Sequence, residues 1–269
     1  MKRLISLILA LGLLFILAAC ASVKTEEPKT EKAKSVELFV FAAASLTETL
    51  DQIIAEYKDM APNVTITPTY DSSGTLLTQI QEGAICDLFL SAAPKQIDTL
   101  DEEGSLLEGT RLDLLENKVA LAIPAGNPKG IESFDQLAEL LKDGDVFLAM
   151  GNSDVPVGQY TQKIFDYYGL IEEELVSAGL LTYGSNVKEV TTQISEATVD
   201  CGIIYATDAF SAELTTVDTA SAGMCGQVIY PTAVLAASEH PDEASSFLEY
   251  LTNDDARAVF ESVGFTPLT

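Results

Sequence analysis

The sequence predicts an α/β fold in which mostly parallel sheets are flanked by helices. Short runs of β-branched and aromatic residues alternate along the chain with segments whose apolar residues recur every three or four positions. These are the patterns of strands and of amphipathic helices. The strand runs are also continuously apolar, which is typical of sheets that are covered on both faces.

The elements follow one another in a regular order. Strands are predicted at residues 36–41, 63–67, 87–91, 118–124, 146–150, 180–183, 202–205 and 228–236. Helices are predicted at residues 46–54, 76–80, 94–100, 134–141, 160–168, 187–194, 244–251 and 254–263, with Ser133 capping the fourth and an acidic loop after residue 100. By size, residues 36–269 fit one domain or two lobes.

The first strand runs into Ser45-Leu46-Thr47-Glu48, which has the Ser-x-x-Glu form of a helix capping box. A helix that begins here places a hydroxyl and unpaired backbone N–H groups at the positive end of its dipole. Such a helix start suits the binding of an anion. Ser-x-x-Glu boxes also serve only as caps, so this motif alone leaves both interpretations open.

Similar turns follow other predicted strands. The turn from Tyr70 to Gly74 again brings serine and glycine to a helix start, and Gly184-Ser185-Asn186-Val187 does so later in the chain. Ligands of open α/β sheets bind beyond the carboxyl ends of the strands, where these turns lie. The sequence therefore predicts a ligand site made of strand ends and helix starts.

The charge of the chain excludes one class of partner. Of 15 Lys and Arg residues six fall within the first 35 positions, so residues 36–269 hold nine against 38 Asp and Glu. Nucleic-acid binding requires a basic face. We therefore expect no nucleic-acid partner, and we expect most of the acids to solvate the exterior.

The N-terminus has the pattern of a bacterial lipoprotein signal. Lys2 and Arg3 precede a short apolar segment that ends in Leu-Ala-Ala-Cys20, so residues 1–19 are interpreted as a signal peptide and Cys20 as the lipidated residue. Two or more acyl chains would anchor the protein stably to the outside of the cell membrane. Residues 20–35 are then a solvated tether.

The remaining cysteines and the sole histidine do not indicate catalysis. Cys86, Cys201 and Cys225 lack metal-binding spacing; a Cys201–Cys225 disulfide stays open, and buried free thiols are favoured. His240 stands between glutamate and proline with no HExxH or nucleophile elbow around it. We expect no enzymatic activity and no metal centre or cofactor.

Seven short motifs occur in order: AAASLT (42–47), YDSSG (70–74), DLFLSA (87–92), VPVGQY (155–160), NVK (186–188), GIIYATDA (202–209) and YPTAVL (230–235). Together they resemble the extracytoplasmic molybdate-binding proteins of ABC importers, the ModA family. The resemblance spans essentially all of residues 36–269 and depends on the order of the motifs, since none is specific alone. It implies a two-lobed, type II periplasmic-binding-protein fold, with lobe 1 at residues 36–118 plus 228–269, lobe 2 at 119–227 and a ligand cleft between them.

The resemblance also implies the ligand contacts. They fall on Ser45, Ser73, Val157, Val187 and Tyr205, with hydroxyls from the serines and Tyr205 and backbone N–H groups from the serines and valines. The metal is touched only through the molybdate oxygens. The charged residues nearby are expected to be caps or surface residues: Glu48, Asp154, Lys188 and Asp208.

Neutral donors suit a dianion on so acidic a chain, because molybdate is fully ionised and only accepts hydrogen bonds. A protonated phosphate carries a donor that finds no acceptor in such a site. The resemblance thus implies a monomeric protein that binds molybdate, and tungstate with it, and delivers the ion to a membrane permease. Binding of another oxyanion, sulfate or phosphate, is the alternative.

Overall fold

The computed structural model describes residues 34–269, in which Ser35–Thr269 forms one compact unit. The predicted signal peptide, Cys20 and nearly all of the predicted tether lie outside the described residues. Within residues 34–269, no helix has both the length and the apolar character needed to cross a membrane.

The described chain forms eleven strands in two sheets. They are β1 (Val36–Ala43), β2 (Val64–Asp71), β3 (Leu88–Leu90), β4 (Leu112–Asn117), β5 (Val119–Ile123), β6 (Leu148–Gly151), β7 (Leu181–Gly184), β8 (Cys201–Tyr205), β9 (Thr215–Thr219), β10 (Val228–Val234) and β11 (Thr266–Pro267). The first sheet has the order β11-β4-β10-β3-β1-β2, and the second has the order β7-β6-β8-β5-β9.

Helices flank both sheets, as the predicted class requires. In chain order they are α1 (Thr47–Met60), α2 (Ser73–Gln81), α3 (Pro94–Glu102), α4 (Phe134–Asp143), α5 (Pro156–Tyr168), α6 (Glu172–Ser177), α7 (Val187–Ser195), α8 (Ala206–Ser211), α9 (Ala222–Cys225), α10 (Pro241–Tyr250) and α11 (Asp254–Ser262). Helix α4 shows the local rules: Ser133 caps it by accepting from the N–H of Gln136, and Gly144 ends it with a φ of 77°.

The prediction of mostly parallel strands is wrong in detail. Among residues 34–269, β1–β2, β1–β3, β6–β7 and β6–β8 are parallel pairs, whereas the other five neighbouring pairs are antiparallel. A continuous apolar run indicates that both faces of a strand are covered, and an antiparallel strand inside a mixed sheet meets the same condition.

Besides the two-residue β11, two strands were missed because they lack an apolar run. Strand β4 lies in the region expected to be an acidic loop, since Asp113 and Glu116 interrupt its leucines; only Leu114, Leu115 and Asn117 are buried. Strand β9 is an edge strand of the second sheet and is mostly half-buried or exposed. Pairing with a neighbouring strand, rather than apolar content, defines both elements.

Two short segments connect the sheets. The chain leaves the first sheet at Asn117 and enters the second at Val119, so Lys118 alone separates the two strands. It returns through α9 into β10. The first sheet thus takes its strands from residues 36–117 and 228–267, and the second takes its own from residues 119–219. The division into lobes at residues 118 and 228 stays a prediction.

Gly158 provides a test of how tightly the second sheet packs against α5. A Cβ at this position would overlap the backbone oxygens of Gly151 and Asn152. We expect Gly158→Ala to lower the free energy of unfolding by about 1–3 kcal/mol, measured by urea denaturation. Gly223→Ala is the control, since a Cβ there meets only Ser221 Oγ at 3.7 Å. Equal stability of the two variants would contradict the packing.

Candidate anion-binding site

A small cavity lies where the two sheets meet, and we call it the junction cavity. Its lining consists of Ala43, Ala44, Ser45, Asp71, Ser72, Ser73, Ala92, Val155, Pro156, Val187 and Tyr205. Each of these residues lies within two positions of the carboxyl end of a strand or the start of a helix. The cavity volume is about 10 Å³, which is about enough for one water molecule. Its walls must therefore move apart before a four-oxygen anion enters.

The structure brings four of the five predicted contacts together, namely Ser45, Ser73, Val187 and Tyr205. Val157 does not line the cavity itself, although the two residues before it do. The serines and the valines are buried, as is Tyr205. Their roles as ligand contacts stay a prediction.

Ser45 lies in a short 3-10 helix, Ala44–Leu46, between β1 and α1. The predicted capping box is wrong, because Ala43 occupies the N-cap position and neither helix has a side-chain cap. Instead, Ser45 Oγ shares a hydrogen bond of 3.0 Å with Tyr230 Oη. Ser45 is therefore free of any capping role and belongs to the buried polar wall of the cavity.

A buried amide adds a second hydrogen bond to the Tyr230 hydroxyl. Asn117 Nδ2 donates to Tyr230 Oη at 3.2 Å and to Thr207 Oγ1 at 2.9 Å. Either hydroxyl of the Ser45–Tyr230 pair can donate to the other. Where Tyr230 donates, the hydroxyl hydrogen of Ser45 is left for another partner. Neither Tyr230 nor Asn117 was predicted from the sequence as part of the site. Tyr230 lies in a strand whose pattern indicates only buried apolar residues, and Asn117 ends β4, which was not predicted as a strand.

The second serine has a hydrogen bond of fixed direction. Ser72, not Ser73, caps α2, because its side chain accepts from the N–H of Thr75. Ser73 Oγ accepts from the backbone N–H of Ala92 at 2.9 Å. One of its lone pairs is thereby occupied by a donor, and its hydroxyl hydrogen stays available.

Two helices of the second sheet begin at the cavity. Pro156 is the first residue of α5 and has no N–H, so the N–H of Val157 is the first donor of that helix. Helix α7 starts at Val187 after Asn186, whose side chain caps the helix by accepting from the N–H of Glu189. First-turn N–H groups have no partner within their own helix, so both valines offer main-chain donors.

Tyr205 supplies a hydroxyl from the end of β8. Its Oη lies 3.5 Å from the carbonyl oxygen of Ala92, a long hydrogen bond, and its ring centroid lies 5.6 Å from that of Tyr230. Burial raises the pKa of Tyr205 and of Tyr230 well above the ordinary value. Both hydroxyls therefore stay neutral and keep their hydrogens at neutral pH.

A carboxylate also lines the cavity, which the sequence analysis did not expect. Asp71 Oδ1 accepts from the backbone N–H of Ser72 at 2.7 Å and from Asn186 Nδ2 at 3.4 Å. The first hydrogen bond provides a partner for the backbone N–H of Ser72 at the start of α2. The second is long and connects the two sides of the cavity.

Three charged residues form a cluster beside the cavity. Lys188 Nζ lies 2.8 Å from Glu48 Oε2 and 3.1 Å from Asp208 Oδ1. Asp208 was expected to be a cap or surface residue; its side chain is instead fully buried, and its Oδ2 has no hydrogen-bond partner among the described residues. Burial raises the pKa of Asp208 to about 6, since Lys188 opposes this shift only in part and Glu48 adds to it.

The described part of the chain shows neither a cluster of metal ligands nor a disulfide. No group of three or more His, Cys, Asp or Glu side chains is placed to hold a metal ion between residues 34 and 269. Cys86, Cys201 and Cys225 are buried free thiols, so the Cys201–Cys225 disulfide is not formed. Burial raises the pKa of Cys86 to about 12, which leaves this thiol unreactive at neutral pH.

Two mixed sheets flanked by helices, with strand ends and helix starts facing one cavity, form the type II periplasmic-binding-protein fold. The chain belongs to the bacterial extracellular solute-binding proteins, whose family model matches residues 38–266. This is a family of solute-binding components of ABC importers, not of enzymes.

Individual relatives agree with this membership. The chain is 33% identical over 264 residues, 96% of each chain, to a Bacillus subtilis protein provisionally named ABC transporter substrate-binding lipoprotein YvgL. It is 31% identical over 240 residues to the molybdate-binding protein ModA of Haemophilus influenzae, covering 87% of this chain and 91% of that one. A solved substrate-binding domain of a provisionally assigned molybdenum ABC transporter from Clostridium difficile has a TM-score of 0.65 and 32% identity, covering 87% of this chain and all of that one.

The raised pKa of Asp208 should make the stability of the protein depend on pH. Its pKa is raised from 3.8 to about 6 on folding, so the folded state binds the proton more tightly than the unfolded state. The free energy of unfolding should therefore fall as the pH rises from about 4 to about 6, by on the order of 3 kcal/mol from this residue. We expect Asp208→Asn to remove that part of the slope in urea denaturation at a series of pH values.

Asp113→Asn is the control for this experiment, because Asp113 is exposed on β4. Its slope should match that of the unsubstituted chain. If Asp208→Asn also left the slope unchanged, the assigned burial and charge environment of Asp208 would be wrong.

Proposed function

We propose that the junction cavity binds molybdate, and tungstate in the same way, for delivery to the permease of an ABC importer. The ligand is held by the hydroxyls of Ser45, Ser73 and Tyr205 and by the backbone N–H groups of Val157 and Val187. The metal is reached only through its oxygens. No resident cofactor and no catalytic step form part of the proposal.

The observation that carries the proposal is the convergence of neutral hydrogen-bond donors on one cavity. Ser73 accepts from the N–H of Ala92, so its hydroxyl hydrogen is available to a ligand. Ser45 can donate in the same way where Tyr230 donates to it, and the first turns of α5 and α7 offer backbone N–H groups. Such a set of donors suits an anion that carries no hydrogen of its own.

The electrostatics support a dianion in spite of the acidic chain. The helix starts at Ser73, Pro156 and Val187 provide partial positive charge without a buried counter-ion. A hydrogen bond to a charged group contributes roughly 1.5–3 kcal/mol net. Several such bonds account for micromolar or tighter affinity.

The relatives support the choice of ligand and of location. One relative bears the name of a molybdate-binding protein, and another bears the name of a substrate-binding lipoprotein. We extend this to the chain as follows: Cys20 carries the lipid, the folded part lies outside the cell membrane as a monomer, and the tether keeps it near the permease. The anchor raises the effective concentration of the binding protein at that partner.

Asp71 favours a second candidate, a protonated oxyanion such as hydrogen phosphate. Its carboxylate lines the cavity, and only one of its oxygens has the two hydrogen bonds described above. A carboxylate repels a dianion but accepts a hydrogen from an anion that carries one. The argument from sequence that protonated phosphate finds no acceptor therefore does not hold at this site.

The proposed function is tested by calorimetric titration of the full chain, in detergent, with molybdate, tungstate, sulfate and phosphate. We expect one-to-one binding of the first two with micromolar or tighter affinity. Ser45→Ala and Ser73→Ala should each weaken binding about ten-fold or more, because each removes a charge-assisted hydrogen bond. Ser133→Ala is the matched control: it removes a serine cap at a helix start that does not line the cavity.

The outcomes separate the candidates. Equal binding of sulfate would make the protein a general oxyanion carrier, and preferred binding of phosphate would favour the role of Asp71. Absence of binding for all four anions, or unchanged affinity in both serine variants, would contradict the proposed site.

A further inference from the structure

The first turn of α7 contacts the opposite side of the junction cavity through two side chains. Lys188 Nζ donates to both carboxylate oxygens of Glu48, at 2.9 and 2.8 Å. Asn186 Nδ2 lies 3.4 Å from Asp71 Oδ1. Both contacts connect an element of the second sheet with an element of the first, and they lie on either side of Val187.

The partners of these contacts stand next to the proposed donors. Glu48 follows Ser45 by three positions, and Lys188 directly follows Val187. An ion pair between Glu48 and Lys188 therefore fixes the spacing between a donor of the first sheet and a donor of the second. An anion that needs both donors is held only while that spacing is kept.

Asp208 holds the lysine in place from its own side. Its buried carboxylate lies 3.1 Å from Lys188 Nζ, so the ammonium group is positioned before it meets Glu48. A group that is already ordered loses less entropy when it forms a further contact. The lysine also partly compensates a buried carboxylate that would otherwise repel the anion.

The strength of the ion pair suits a reversible contact. The side chains of Lys188 and Glu48 are 31% and 54% exposed. Ion pairs that are exposed to water contribute little to the free energy of folding. A fully buried pair would keep the walls of the cavity together without a ligand. A weak pair changes the balance between open and closed arrangements only when the bound anion also favours the closed one.

We propose that Lys188, held by Asp208, is a positioning residue that fastens the two sides of the cavity through Glu48 and thereby slows the release of the bound anion without touching it. The effect on anion release rests on the proposed function. The contact between Lys188 and Glu48 across the cavity is a property of the protein without any ligand.

Glu48→Gln separates this role from simple electrostatics. Removal of a negative charge near an anion site would tighten binding if charge alone mattered. The fastening predicts the opposite, a rise of about three- to five-fold in Kd and in the dissociation rate for molybdate, measured by calorimetry and stopped flow on the full chain. Lys188→Met should weaken binding more than Glu48→Gln does, because it also leaves the carboxylate of Asp208 uncompensated, and the double variant should lose little more than Lys188→Met alone.

Glu189→Gln is the matched control. Glu189 lies in the same turn of α7, but its carboxylate accepts from the N–H of Ser185 on its own side of the cavity. This variant removes the same charge without removing a contact across the cavity, so its Kd for molybdate should not rise.

Gly74→Ala tests the approach of the two sides without changing a charge. A Cβ at this position would overlap the backbone oxygen of Asp154 across the cavity. This variant should therefore weaken molybdate binding as well.

Hydrogen exchange without any anion tests the fastening when no ligand binds. Glu48→Gln should speed exchange of the backbone amides at residues 44–48, 72–75 and 186–190 by about three- to five-fold, and Glu189→Gln should not. Unchanged exchange in Glu48→Gln would overturn the inference whatever the ligand. Equal or tighter molybdate binding by Glu48→Gln would overturn it while leaving the proposed function standing. Failure of the unsubstituted chain to bind any of the four anions would instead contradict the proposed function.

Discussion

A chain of buried hydrogen bonds from Ser45 through Tyr230 and Asn117 to Thr207 holds the candidate site together. Asn117 ends the strand that leaves the first sheet, and Tyr230 lies on the strand that returns to it. All four residues are buried, so each polar group must find its partner within the protein. The chain of bonds therefore couples both connecting segments to the serine at the end of β1.

The order of the elements was sufficient to predict that strand ends and helix starts meet at one place. The resemblance, and not local structure, singled out Ser45, Ser73, Val187 and Tyr205, which line the junction cavity. Tyr230 and Asn117 could not be predicted, because folding brings Tyr230 to Ser45 across 185 positions and to Asn117 across 113. The direction of the strands could not be predicted either. A continuous apolar run shows that both faces of a strand are covered, and not whether its neighbours are parallel or antiparallel to it.

Burial with only partial pairing explains the raised pKa of Asp208 near the cavity. An acidic chain that binds an anion must keep its carboxylates away from the ligand or neutralise them. Asp208 is partly compensated by Lys188, and the donor at the start of α2 engages Asp71. Neither feature was visible in the sequence, where Asp208 resembled any of the acids expected on the surface. The cost of burying Asp208 explains why its carboxyl group takes up a proton far more readily than an exposed one.

The position of the bound anion is the most direct test of the proposed binding site. Tungsten scatters strongly enough to be placed by anomalous diffraction in crystals grown with tungstate. The proposed site predicts one tungsten position at the junction cavity, with oxygens within hydrogen-bonding distance of the hydroxyls of Ser45 and Ser73 and of the first-turn N–H groups of α5 and α7. A tungsten position elsewhere on the molecule, or one whose oxygens contact Lys188 in place of these neutral donors, would contradict it.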